Sequence, residues 1–86
     1  MQFRDLIEIL AEYDVVHSDL PRNFNCDGEV DHEYKKIYIN TNQSYKDKID
    51  TTIHELLHVF YDSRGIEVTE NQIIEETKQI IKREYE

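Results

Sequence analysis

Three side chains in this sequence can act together on one ion. His54, Glu55 and His58 form the pattern H-E-x-x-H. Four residues along a helix make just over one turn, so both imidazoles leave one face and can bind a single zinc ion. Glu55 is rotated about 100° from His54 along such a helix. From there a carboxylate reaches a water beside the metal and can take its proton, because zinc lowers that water's pKa. A zinc site that keeps an open position needs a third protein ligand. Asp62 continues the series, but eight residues of helix rise about 12 Å, too far from an ion held between His54 and His58. The third ligand must come from another element. Glu70, Glu75 and Glu76 lie downstream. Glu76 falls three residues after Ile73 and four before Ile80, on the apolar stripe, where a carboxylate is costly unless something pairs with it. Glu76 is therefore the first choice, Glu75 the second and Glu70 the third.

The elements that must hold these groups follow from periodicity. Ile49, Ile53, Leu56, Leu57 and Phe60 predict a helix from Tyr45 to about Asp62 that carries the motif, with Gly65 as its stop. Thr69 and Gln72 are spaced as a capping box for a helix over about 70–85, with Ile73, Ile74, Thr77, Ile80 and Ile81 inward. Phe3, Leu6, Ile7 and Leu10 predict a first helix at about 2–13. Asp14 to Pro21 reads as an exit segment. Asn23 to Val30 is strand-like but broken at Asp27-Gly28, a turn or bulge signal. A polar turn over 31–36 leads to the strand Ile37-Tyr38-Ile39. The expected fold is α+β: one domain with an N-terminal helix, a short antiparallel hairpin or sheet, the motif helix and a glutamate-bearing C-terminal helix.

A strand, an H-E-x-x-H helix and then a glutamate on the next helix resembles the gluzincin-type zincin metallopeptidases. The stretches Ile37-Tyr38-Ile39-Asn40, Ile53-His54-Glu55-Leu56-Leu57-His58 and Glu76-Thr77-Lys78-Gln79-Ile80-Ile81 most resemble the ImmA/IrrE-type peptidases and small phage-encoded relatives. The resemblance covers about residues 23–84. It implies a minimal zincin-like domain, with His54, His58 and Glu76 as zinc ligands and Glu55 as general base. It also implies that an edge strand, here Ile37–Ile39, pairs with an extended peptide backbone. The implied substrate is a protein or peptide, such as a repressor or host protein met in trans. His17, Tyr45, Tyr61 and Tyr85 are candidates for the further donor to the oxyanion that such hydrolysis uses. The sequence departs from the family pattern at Leu57, where many relatives have glycine, and at Thr77, where they have a small residue.

Composition narrows the reading. A domain of 86 residues buries only about 60% of its unfolded surface, so small domains add disulfides, a metal or a partner chain. Cys26 is the sole cysteine, which excludes an internal disulfide and leaves the metal or the partner. It reads as a small packed hydrophobe. Nineteen acidic against ten basic side chains give a net charge of −9. That balance argues against nucleic-acid binding and against docking on anionic membranes. The N-terminus lacks a signal-peptide pattern, no apolar run approaches a membrane span, and the lone cysteine fits a cytoplasmic location. A monomer or a weak dimer through an unpaired hairpin edge is expected. Two other readings stand beside the peptidase: a non-catalytic module whose zinc is structural, and an acidic mobile-element protein that inhibits a host factor by charge mimicry.

Overall fold

The computed structural model describes residues 3–19 and 28–85. The expected strand residues 23–27, with Cys26, lie outside the described residues. The order is α1 (Phe3–Glu12), β1 (Asp14–Ser18), β2 (Gly28–Asp31), β3 (Lys36–Asn40), α2 (Tyr45–Ser63) and α3 (Glu70–Tyr85). The fold is α+β, as the pattern of the sequence predicts.

The sheet has the order β1-β3-β2. β2 and β3 form the expected antiparallel hairpin, with Val30 opposite Ile37 and Asp31 opposite Lys36. The Asp31 carboxylate closes its turn by accepting from the backbone N–H groups of Glu33 and Tyr34, and Lys35 takes the left-handed conformation at φ 52°. Two expectations are corrected here. The segment after α1 is not only an exit: its first residues form β1, which pairs in parallel with β3, Val15 beside Ile37 and His17 beside Ile39. The Ile37–Ile39 strand is therefore central, with its backbone committed on both sides, and cannot be the substrate edge. The edges are β1 and β2.

Ile37 and Ile39 alternate inward and pack with Leu6 and Ile9 of α1 and Leu56 and Val59 of α2. A second apolar cluster joins Ile53 and Leu57 of α2 to Ile73 and Ile80 of α3. Among the described elements α3 touches only α2, so α2 is the spine between the two clusters. Its ends are well defined. The Ser44 hydroxyl accepts from the Asp47 N–H at 3.2 Å, a side-chain N-cap. At the other end the Gly65 N–H donates to Asp62 and the Ile66 N–H to Tyr61, with Gly65 at φ 65°. These bonds form a Schellman stop, which needs the left-handed residue that glycine supplies. The Thr69/Gln72 capping box is present in both directions, at 2.8 and 3.1 Å. No described helix is long and apolar enough to cross a membrane.

Candidate metal centre

α2 sets His54 and His58 one turn apart on the flank between its two buried faces. Their Nε2 atoms lie 3.2 Å from each other. The Schellman turn folds the chain back, and the first residue of α3, Glu70, comes to rest over both rings. One Glu70 oxygen is 2.5 Å from His54 Nε2 and the other 3.3 Å from His58 Nε2. Among the described residues these three form the one group of three or more potential ligands whose donor atoms lie within 4.8 Å of one another.

The donor set can be tested against zinc geometry. Ligand atoms at about 2.05 Å in a tetrahedron sit roughly 3.3 Å apart. The His54–His58 edge at 3.2 Å and the His58–Glu70 edge at 3.3 Å match. The His54–Glu70 edge at 2.5 Å is a direct contact that must widen by roughly 0.8 Å to admit an ion. Glu70 is 59% exposed and can make that adjustment by rotating its side chain. Two imidazoles and one carboxylate suit zinc, and the chemistry of the set accommodates other divalent ions.

The structure places the other sequence candidates elsewhere. Glu76 is half-buried beside α2, and its carboxylate accepts the Tyr61 hydroxyl. Glu75 is exposed and pairs with Lys78 at 3.6 Å. Glu70, third in the sequence ranking, is the one brought to the histidines. Of the candidate oxyanion donors, His17 and Tyr45 line a groove between the three helices, and Tyr61 is turned to Glu76. Only the backbone of Tyr85 is described. His32 is engaged at one end of the molecule, with Tyr13 Oη 3.2 Å from Nδ1 and Asp62 3.4 Å from Nε2.

Glu55 is half-buried. Burial raises its carboxyl pKa above the ordinary value, the charges of Glu70 and Glu29 add to that rise, and His58 opposes it. The residue that makes room for Glu55 is Gly28. A Cβ there would lie 3.0 Å from Glu55 Cγ and 2.7 Å from Thr51 Cγ2. Edge strand β2 therefore passes the general-base candidate at backbone distance. Asp27-Gly28 reads in the sequence as a turn signal, and nothing in the local pattern shows that the glycine serves a close approach to a helix.

Thr51, which lies against Gly28 together with Glu55, also anchors this stretch of α2 to the preceding loop. Its hydroxyl donates to Gln43, and the Gln43 amide donates to the Asn40 carbonyl. The loop between β3 and α2 is thus tied to the helix one turn before the motif. The chain matches no protein-family model, no curated protein and no solved structure, so the chemistry of this centre is argued from its own geometry.

Proposed function

We propose that this chain is a zinc-dependent metallopeptidase acting on a protein or peptide, with His54, His58 and Glu70 holding the ion. The observation that carries the reading is the Glu70 carboxylate spanning both imidazoles while Glu55 projects beside them from the same helix. A zinc ion there would supply Lewis acidity, acidifying a water and polarising a carbonyl. Glu55 takes the proton from the attacking water and returns it to the leaving amine. Its burial supports the second half of that cycle, because a carboxyl of raised pKa holds the proton between the two transfers. β2, as the edge strand nearest Glu55, is the place for an extended peptide to add its backbone.

The test is metal analysis of the purified protein alongside His58→Ala, Glu70→Ala and Glu76→Ala. The proposal expects one zinc per chain, lost in the first two variants and kept in the third. Zinc kept in Glu70→Ala and lost in Glu76→Ala would move the ligand to Glu76. Glu55→Gln is expected to keep zinc and to lose hydrolysis of an unfolded protein such as casein.

A second reading is favoured by the attachment of α3 to α2 alone. An ion between these helices would staple α3 to the domain, and the chain would be a zinc-stabilised binding module. Chelation that unfolds α3, in a protein that cleaves nothing, supports this reading over the peptidase.

A further inference from the structure

We infer that the cleft between α1 and α3 is a binding site for an anionic amphiphile, a medium-chain fatty acid; the inference goes beyond the metallopeptidase reading and does not rest on it. Both helices pack on α2 and neither touches the other. The space left between them has a volume of about 570 Å³, within the range of roughly 300–1,000 Å³ usual for small-molecule sites. Its walls are Leu6, Ile7 and Leu10 of α1, Ile49 and Ile53 of α2 and Ile80 of α3. Thr52 and Leu56 also line it, and each lies two residues before one of the histidines, about 200° around the helix. The cleft therefore opens on the far side of α2 from His54 and His58.

The walls carry apolar surface that the fold itself does not use. Leu6, Ile7 and Leu10 form the stripe that predicts the inward face of α1, yet of these only Leu6 is buried; Ile7 is 52% and Leu10 44% exposed. Tyr45, at 80%, brings a third exposed large hydrophobic side chain to the same cleft. Exposed apolar surface gathered in a concavity, rather than scattered, marks a binding site. The charge on the lining then chooses the ligand. Glu84, its one carboxylate, pairs with Arg83 at 3.3 Å. The Lys48 ammonium and the His17 ring have no hydrogen bond or ion pair among the described residues, and Lys48 is half-buried. Both come from one end of the fold, because β1 ends with Ser18 beside Asn40 and α2 begins soon after at Tyr45. The unpaired charge of the cleft is thus positive in a chain of net charge −9. A second copy of the chain would bring its own acidic surface against the first. A fatty acid satisfies both parts of the lining, its chain along the leucines and isoleucines and its carboxylate at Lys48 and His17.

The test compares probes that share one part of the ligand each. In an NMR titration of the purified protein, kept below the micelle concentration, dodecanoate is expected to shift the amides of Ile7, Leu10, Lys48 and Ile49. It should bind roughly fivefold more tightly than dodecanol, the scale of a partly exposed ion pair. The protein as a whole repels an anion, so this preference reports the lysine of the cleft. Acetate, which has the carboxylate and no chain, should leave these amides unshifted. Lys48→Gln should remove the preference for dodecanoate and leave dodecanol binding unchanged. Leu10→Ser should weaken both probes. Absence of binding, equal binding of the two probes, or a preference that survives in Lys48→Gln overturns the site. Shifts centred on His54, His58 and Glu70 would send the carboxylate to the candidate metal centre and overturn it as well. Cleft amides that shift with protein concentration, without any probe, would make the occupant a second copy and overturn the fatty acid.

Discussion

The two sides of α2 are built differently. On the sheet side, Leu56 and Val59 meet residues from α1 and β3. Cross-links between distant segments reinforce that contact: the β1–β3 ladder, the Lys35–Glu12 ion pair and the Asp14 N–H to Lys35 carbonyl bond. On the α3 side, Ile53 and Leu57 meet Ile73 and Ile80 as buried apolar partners, and the polar links from α2 are the Tyr61–Glu76 hydrogen bond and the contacts of Glu70 with His54 and His58. The candidate metal centre sits on this less redundant side. A ligand set placed there adds a link where few others exist, and any ion it holds is coupled to whether α3 is docked.

The sharpest way to break the contrast is to empty one side. Leu57 is 0% exposed, and Leu57→Ala should cost about 2–5 kcal/mol. The expected signature is loss of amide-exchange protection in α3 before loss in β3. Simultaneous loss would show that the two sides unfold as one unit. Gly28→Ala acts from the sheet side. The added methyl meets Thr51 and Glu55 too closely, and should cost roughly 1–3 kcal/mol in thermal or urea unfolding. It should also lower hydrolysis more than zinc content, because it displaces Glu55 rather than a ligand. Thr69→Ala removes one side of the capping box and should cost about 1 kcal/mol, read as fraying confined to the first turn of α3.

The smallest expected effect is a titration. The Tyr61 phenol is pushed up to about 12, chiefly by its hydrogen bond to the Glu76 carboxylate. A native pKa above the unfolded one means that this bond contributes below the ordinary tyrosine range, near 10. The contribution fades as pH rises from there through about 12. Ultraviolet titration should show one late tyrosine, returned to the ordinary range by Glu76→Gln. A late tyrosine that persists in that variant would place the cause elsewhere.

The sequence states some of this plainly and hides the rest for physical reasons. Helices α1, α2 and α3 are legible because their apolar residues repeat at the helical period, and the stops at Gly65 and Thr69 are local chemistry. β1 is not, because its partner lies some 22 positions away in parallel, a pairing that no neighbouring residue announces. The approach of Glu70 to the histidines is hidden for a related reason. Periodicity tells which face of α3 meets α2, and it puts Glu76 on the side where its carboxylate accepts the Tyr61 hydroxyl of α2. It does not tell how far along α2 the first turn of α3 lands. That depends on the angle between the helices and the length of the 64–69 turn, and it is this landing that puts Glu70 over the histidines.

The placement of β3 between two strands that both precede it in sequence also orders the events of folding. The β2–β3 and α2–α3 pairs are local and close cheaply, whereas β1 has no partner until the hairpin exists and must then span the intervening chain. During synthesis, α1 and β1 leave the ribosome before the other described elements and wait longest for a partner. A nascent chain stalled before residue 40 would expose Val15 and Val16 with no strand to receive them.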